Sequence, residues 1–191
     1  MDSESLIYTE EDLIEKCIKG NVHAQKSLYK RFLPKLFAIA CRYSSNKEDA
    51  KDVMQESFIK IFSSLHTFKK NGSFEGWLKR IVVNTALSKY RNNQKSIIDY
   101  STDVNELDAS EEDETENDTN SFMQLDEQTI LIHIQALPEE FRLVFNLACI
   151  EGLSHKEIST VLGIKEEISR IRLLRARKKL VTTLSLINTI S

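Results

Sequence analysis

Aromatic and basic side chains alternate along residues 68–91, a combination that suits the binding of unpaired nucleic-acid bases. Bases stack on aromatic rings, and cations follow the phosphate backbone. The side chains in the pattern are Phe68, Lys69, Lys70, Phe74, Trp77, Lys79, Arg80, Lys89, Tyr90 and Arg91. In the competing interpretation, Phe74 and Trp77 are core residues and the basic face beside them is incidental. Asn84 is polar within an apolar stretch of this segment, so it is either exposed or bound to a partner.

The C-terminal segment has the helix-turn-helix pattern of a short helix, a glycine turn and a basic helix. Ser154 opens the short helix with a capping box, and Gly163 turns the chain. The last helix runs from about Glu166 to beyond Leu180. Seven basic and two acidic residues lie between Lys165 and Leu180, which suits a helix that binds phosphates in a major groove. An ordinary solvated C-terminal helix is the alternative, since cations also suit helix C-termini.

Helical periodicity gives that last helix two different faces. The face expected to pack inward holds Ser169, Leu173, Ala176 and Leu180. The outward face holds Glu167, Ile171, Leu174 and Lys178. Aliphatic side chains there can contact a thymine methyl group or pack on a protein partner, and both interpretations stay open.

Asp52, Gln55 and Glu56 form a third pattern, because their spacing puts them on one helix face. Phe58 and Ile61 turn away from this face. By spacing alone, it is a solvent-exposed polar surface.

Residues for catalysis or metal binding do not occur in usable arrangements in the sequence. The cysteines at 17, 41 and 149 form no C-x-x-C pair and are expected to be buried free thiols, and the four histidines are never four residues apart. No nucleophile–base pair, phosphate-binding glycine loop or pair of catalytic carboxylates is visible. The sequence predicts a binding protein that is not an enzyme and that uses no metal or cofactor.

The composition favours an all-helical protein, since only 5 of 191 residues are glycine and 2 are proline. No segment alternates with period two over the length of a strand. No apolar run approaches the ~20 residues that span a bilayer. The acidic N-terminus does not look like a signal peptide. We therefore expect a cytoplasmic protein without membrane insertion.

The net charge of −3 is unevenly distributed. Residues 101–127 contain eleven acidic residues and no lysine or arginine, whereas the segments before and after them are mildly basic. Such a stretch cannot bury enough apolar surface to offset the entropy of ordering it. The sequence predicts two small helical domains, 1–98 and 126–191, joined by a flexible acidic linker, 99–125.

Caps and apolar periodicity predict the helices of both domains. A first helix follows Thr9, with one apolar face formed by Leu13, Ile14, Cys17 and Ile18. The second runs from about 22 to 43, and Pro34 is expected to kink or split it. Further helices follow Asn46 and Ser73 and span about 128–136. The next helix follows Pro138 and is expected to bury Phe141, Val144, Phe145 and Ala148.

These segments resemble those of bacterial RNA polymerase sigma factors of the extracytoplasmic-function (ECF) group. Residues 48–62 (EDAKDVMQESFIKIF) resemble the segment that binds core polymerase, and residues 73–91 (SFEGWLKRIVVNTALSKYR) resemble the promoter-melting segment. LPEEFRLVFNL, EGLSHKEI and LLRARKKL, at 137–147, 151–158 and 173–180, resemble the terminal helix-turn-helix domain. Their order and spacing fit a group that retains only these two domains.

The resemblance implies a role for each matched position. Asp52, Gln55 and Glu56 would dock on the coiled coil of the largest polymerase subunit, and a groove around Phe141, Val144 and Phe145 would hold the polymerase flap. The residues implied to contact the −10 element are Phe68, Lys69, Lys70, Asn71, Trp77, Arg80, Asn84 and Arg91. Those implied to contact the −35 element are His155, Lys156, Ser169, Arg170, Arg172, Arg175 and Lys178. The implied partners are core RNA polymerase, promoter DNA and an anti-sigma factor.

The sequence departs from the family pattern where the last helix begins. The family commonly has Ser-Glu-Gly-Thr there, whereas this chain has Lys165, Glu166, Glu167 and Ile168. Lysine cannot accept from backbone N–H groups, so we expect a cap worth ~1 kcal/mol to be missing. Ile171 also replaces a usual small polar residue. Two rival functions remain: a helix-turn-helix regulator with an N-terminal sensor domain, and a degenerate sigma-like protein that acts only through protein contacts.

Overall fold

A computed structural model describes the backbone of residues 8–97 and 127–188. These parts of the chain form eight α-helices and contain no strand, which confirms the all-α prediction. The chain divides into two compact units between Leu87 and Ser88. The predicted acidic linker lies outside the described residues, so the linker and the domain limits stay predictions.

The first two helices begin at the caps that hydrogen bonding favours. Helix α1 is Glu10–Ile18, and the Thr9 hydroxyl accepts from the Asp12 N–H. Helix α2 is Val22–Tyr43, and the Asn21 side chain accepts from the Ala24 N–H. The predicted apolar face of α1 is partly wrong, because Ile18 is 50% exposed. At 100° per residue, Ile18 lies beyond the edge of the buried face.

Helix α2 does not split at Pro34, contrary to one of the predicted outcomes. Proline lacks the N–H for one helical hydrogen bond, but its fixed φ is compatible with a helix. Phe32 and Leu36, on either side of it, are buried against the core. Packing therefore stabilises the helix through the interruption.

Helix α3 is Lys47–Ser64, and the side chain of its cap, Asn46, accepts from the Asp49 N–H. A 3₁₀ turn, Leu65–Thr67, follows it. After a loop, α4 (Phe74–Ile97) begins where the Ser73 hydroxyl accepts from the Gly76 N–H at 3.0 Å. The core of the first unit includes Leu28, Phe32, Leu36, Phe58, Ile61, Phe74, Leu78 and Val82.

The second unit contains α5 (Glu127–Ala136), α6 (Glu139–Phe145), a π-helical turn (Asn146–Ile150), α7 (His155–Leu162) and α8 (Glu166–Asn188). Helix α8 packs against α5, α6 and α7. One buried cluster joins α8 to α5 and comprises Ile134, Leu137, Ala176, Leu180 and Leu184. Ser169, Leu173, Ala176 and Leu180 are all buried, which confirms the predicted inward face of α8.

The prediction for the buried face of α6 is largely wrong. Val144 is buried, but Phe141, Phe145 and Ala148 are only half-buried. Leu143 and Leu147 are buried instead. The helix is covered on more than one side, and the π turn after it shifts the register of the residues that follow.

Arg142 is buried in the same helix with only 2% of its surface exposed. Its Nη1 donates to the carbonyl oxygens of Gln135 and Leu137, both at 2.9 Å. These carbonyls lie at the C-terminal end of α5, where helical partners are lacking. Asn146, also buried, donates through Nδ2 to the carbonyl of Arg142. Sequence periodicity gave no sign of these buried polar groups.

Two of the three cysteines follow the prediction of buried free thiols. Cys17 and Cys41 are buried, and burial raises the pKa of Cys17 to about 11. Cys149 is exposed, so the prediction is wrong for that residue. Across residues 8–97 and 127–188, no group of histidine, cysteine or carboxylate side chains is arranged to hold a metal. No helix within the same ranges is both long and apolar enough to cross a bilayer.

Candidate functional site

The polar face of α3 points to solvent because the apolar residues on the opposite side of the helix pack into the core. Ala50, Val53 and Met54 pack into the core, which turns Asp52 and Gln55 outward as exposed side chains. Glu56 is half-buried, and its carboxylate lies 2.6 Å from Nζ of Lys60. Lys60 also reaches the Thr85 hydroxyl at 3.4 Å. The face therefore offers the exposed side chains of Asp52 and Gln55, and Lys60 holds the Glu56 carboxylate beside them.

An apolar groove of about 760 Å³ lies beside this polar face, between α2 and α3. Its lining consists of Tyr29, Leu33, Pro34, Phe37, Lys51, Met54, Gln55, Phe58, Ile59 and Phe62. Ile59 is 64% exposed there. The groove was not predicted from the sequence. Its signal is the spacing of Tyr29, Leu33 and Phe37, a second apolar stripe one residue after the buried stripe of α2.

The loop before α4 starts from an aromatic cluster. The ring centroid of Phe68 lies 5.1 Å from that of Phe74 and 5.6 Å from that of Trp77. Phe74 is buried against Phe32, whereas Phe68 and Trp77 are half-buried. Phe74 is therefore a core residue, as the competing interpretation has it. Phe68 and Trp77 retain some exposed ring surface, and the binding of unpaired bases stays a prediction.

The rest of this loop displays cations. Lys69, Lys70 and Asn71 are exposed. Lys70 has a positive φ of 57°, which is uncommon for a residue with a side chain. Its Nζ lies 2.8 Å from a carboxylate oxygen of Glu11 in α1, and this hydrogen bond raises the pKa of Lys70. The ion pair ties the loop to the first helix of the chain.

One face of α4 carries the predicted DNA-contacting residues of that helix. Arg80, Asn84 and Arg91 are exposed and Trp77 is half-buried. At 100° per residue, the four fall within about 60° of one another around the helix. They therefore form a single surface that begins next to the loop.

The start of α4 is fixed by a carboxylate between two lysines. Glu75 lies 2.7 Å from Nζ of Lys35 in α2 and 2.9 Å from Nζ of Lys79. Hydrogen bonds from Lys35 and then Lys79 lower the pKa of Glu75 to about 2. This cluster joins α4 to α2 beside the loop.

The helix-turn-helix is built as predicted. Ser154 and Glu157 form the reciprocal capping box of α7, and Gly163 adopts the left-handed conformation with φ 70°. The hydrogen bonds at Ser154 lower the pKa of Glu157. The Ser159 hydroxyl donates to the carbonyl of Ile164, so the turn is held to α7.

Ser169 is placed differently from the prediction of a DNA contact. It is completely buried, and its Oγ lies 2.8 Å from Nδ1 of His155. His155 is half-buried in this contact, while Lys156 next to it is exposed. The prediction for Ser169 is wrong because the residue faces the core, between the two helices.

The basic side chains of α8 differ in solvent exposure. Arg170 and Lys178 are exposed, and Arg170 pairs with Glu166 at 3.1 Å. The Arg172 side chain is only 18% exposed and lies 3.1 Å from the Glu140 carboxylate of α6. Arg172 therefore ties α8 to α6, and its contact with DNA stays a prediction. Arg175 is half-buried.

The residues predicted to hold the polymerase flap do not form an open groove. Val144 has no exposed surface, so a partner cannot reach it in this conformation. Phe141 and Phe145 pack against the cluster that joins α5 to α8 and remain half-exposed. Only these two rings of the predicted set present exposed surface, and flap binding stays a prediction.

Family models match both parts of the chain. The model for sigma-70 region 2 matches residues 28–96, and a model for sigma-70 region 4 matches residues 133–180. The first match contains α3, the loop and the exposed face of α4. The second contains the helix-turn-helix.

Curated relatives extend the likeness over most of the chain. The RNA polymerase sigma-H factor of Pseudomonas aeruginosa is 30% identical, over 88% of this chain and 90% of its own length. The ECF RNA polymerase sigma-E factor of Escherichia coli K12 is 31% identical, over 89% of this chain and 91% of its own. Among solved structures, the sigma factor RpoE in complex with the anti-sigma factor NepR from Bartonella quintana is 22% identical, covering 84% of this chain and 96% of its own, with a TM-score of 0.48. On these sequence matches, the chain belongs to the ECF group of RNA polymerase sigma factors, which bind core polymerase and direct promoter-specific initiation of transcription.

Proposed function

We propose that this chain docks on core RNA polymerase through α3, opens the −10 element with the loop and α4, and reads the −35 element with α8. The observation that carries this proposal is the exposure of Asp52 and Gln55 beside an apolar groove. An exposed acidic face next to apolar surface suits a protein partner, because charge complementarity sets orientation while apolar burial supplies affinity.

Strand separation requires a site that captures an unpaired base. The exposed ring surface of Phe68 and Trp77 lies next to the cations at 69 and 70. Stacking on an aromatic ring and attraction of the phosphate are the two interactions that stabilise single strands. Arg80, Asn84 and Arg91 continue this surface along α4, so the unpaired strand would follow the helix.

The outward face of α8 is the surface proposed to contact the −35 element. Lys178 is exposed and can reach a phosphate, and Lys156 lies exposed at the start of α7. Arg170 is also exposed and would exchange its ion pair with Glu166 for a phosphate. Ser169 and Arg172 instead stabilise the packing that presents this face. We thus assign DNA contact to fewer residues than the sequence predicted.

The proposed function also implies binding partners and a cellular location for the protein. RpoE of Bartonella quintana was solved with an anti-sigma factor, and we propose that an anti-sigma factor also binds this chain. Polymerase performs the chemistry, so the chain itself is proposed to have no catalytic activity. Its targets, polymerase and promoter DNA, place its action in the cytoplasm.

The test is transcription in vitro with the full chain, purified bacterial core polymerase and a promoter library. We expect initiation at defined positions downstream of a shared pair of sequence elements. The double substitution Asp52→Asn with Gln55→Ala should weaken binding to core polymerase at least about tenfold, because it removes the exposed negative charge and the exposed Gln55 amide of the face. Affinity is measured by titrating core polymerase with labelled protein.

Glu15→Gln is the matched control, because it removes an exposed carboxylate from α1, which carries none of the proposed contacts. It should bind polymerase like the unmodified protein. If the α3 variant binds equally well, α3 is not the docking face. If the unmodified chain binds DNA tightly but gives no initiation with polymerase, the whole proposal fails.

A further inference from the structure

The outward face of α8 is aliphatic at its centre. Leu174 is 65% exposed, more than any other large apolar side chain in the described parts of the chain. Ile171, one turn earlier, is half-buried. An exposed leucine on a helix that packs well on its other side has no structural role there, since its removal leaves the core intact.

Cations border this aliphatic centre on both sides. At 100° per residue, Arg170 and Arg177 lie on one side of Leu174 and Arg175 lies on the other, beyond Ile171. Arg170 and Arg177 are exposed. A helix in the major groove has a phosphate backbone along each flank and base edges in front of it, so this charge distribution matches duplex DNA.

The aliphatic centre of the face is suited to base edges. Besides Leu174 and Ile171, the centre holds the exposed carboxylate of Glu167, which repels phosphate, and the exposed Lys178. The long side chain of Lys178 can reach past the aliphatic pair to a phosphate. Among the groups that base pairs show in the major groove, the thymine methyl group is the apolar one. Among base edges, a leucine at this position therefore has one favourable contact to make, the thymine methyl group.

We propose that Leu174 determines specificity by packing on the methyl group of a thymine in the −35 element. The inference rests on the proposed function and adds a base preference to it. An apolar contact that excludes water from one methyl group changes binding by about three- to fivefold. Discrimination of this size at one position is enough to be measured.

Deoxyuridine provides the sharpest test, because it pairs with adenine like thymine and lacks only the methyl group. Each thymine of the −35 element, on both strands of a promoter selected from the library, is replaced in turn. Run-off transcription at limiting holoenzyme is compared for the unmodified chain and for Leu174→Ala. We expect one position at which deoxyuridine lowers transcription about three- to fivefold with the unmodified chain. Leu174→Ala should be insensitive to that replacement.

Ile132→Ala is the matched control, because Ile132 is 61% exposed on α5 of the same unit. It should retain the sensitivity of the unmodified chain to deoxyuridine. Circular dichroism should show that both variants keep their helices, since both side chains are exposed.

Three results would overturn the inference. Deoxyuridine has no effect at any position, or it affects Leu174→Ala as strongly as the unmodified chain. Alternatively, Leu174→Ala loses transcription equally on all promoters together with affinity for core polymerase, which would assign the face to a protein partner. Each of these results leaves promoter-specific initiation by the unmodified chain in place, whereas absence of any initiation would refute the proposed function itself.

Discussion

Nδ1 of His155 lies 2.8 Å from Oγ of Ser169 and joins the first residue of α7 to the inner face of α8. Ser169 is completely buried, so this contact is shielded from water. Two helices that share a buried polar contact cannot easily change their relative angle, since the bond would be lost without a replacement from solvent. The pair therefore fixes the geometry in which α8 is presented.

Ser169→Ala should lower the free energy of unfolding of the C-terminal unit by about 1 kcal/mol, because it removes one buried hydrogen bond. Hydrogen exchange of α8 amides measures this effect. Unchanged protection of these amides would show that the contact with His155 contributes nothing to stability. Thr182→Ala, which alters an exposed hydroxyl on the same helix, is the control.

Arg142→Met should destabilise the C-terminal unit by about 2–3 kcal/mol. The substitution leaves the Gln135 and Leu137 carbonyls without the charged donor that caps α5. Arg142→Lys should rescue little, because one ammonium group cannot reproduce the planar fork of a guanidinium. Protection of α5 and α8 amides from hydrogen exchange reports the loss. Unchanged protection would mean that solvent replaces the guanidinium without cost.

Acid should weaken the anchor of α4. The folded-state pKa of Glu75 is about 2, below its ordinary value of 4.5, because Lys35 and Lys79 favour the charged carboxylate. The stabilisation by Glu75 is therefore fully present above pH 4.5 and is lost as the pH falls towards 2. NMR titration of the Glu75 carboxyl should show its pKa rising in Lys35→Gln, and rising less in Lys79→Gln. An unchanged value in both variants would refute the cluster.

Gly72→Ala should slow promoter opening without weakening polymerase binding. Gly72 has φ 122°, a conformation that side chains rarely adopt, so alanine must distort the loop. Gly20→Ala introduces a similar strain at φ 77°, after α1, and serves as the control for general destabilisation. Opening is followed with a fluorescent base analogue in the −10 element. Equal slowing by both variants would argue against a specific role for the loop.

Neutralising the acidic residues between 103 and 118 to asparagine and glutamine should weaken holoenzyme assembly or initiation. The resemblance to the family implies that the predicted linker threads towards the active-centre and RNA-exit channels of polymerase. A row of carboxylates resembles the charge of RNA, which such a channel accommodates. Assembly and transcript yield are measured separately. If both are unchanged, the charge of the linker has no role in either step.

Sequence patterns predicted the local structure better than the packing. Caps at Thr9, Asn46, Ser73 and Ser154 were predicted because each depends on a few neighbouring residues. Helical periodicity also predicted the inward face of α8, because that face repeats over several turns.

Features that depend on contacts between distant segments were missed. The groove beside Gln55 exists only where α2 meets α3, and the burial of Arg142 depends on the end of α5. The exposed or buried state of a polar side chain such as Ser169 is likewise decided by the neighbouring helix. A single sequence shows which residues share a face but not what covers that face.

The ion pair between Glu11 and Lys70 links α1 with the loop proposed to capture the unpaired base, across 59 residues of sequence. Both side chains are exposed, so the pair contributes little to stability and salt screens it. The loop is therefore held to α1 most firmly at low ionic strength and gains conformational freedom as salt is added.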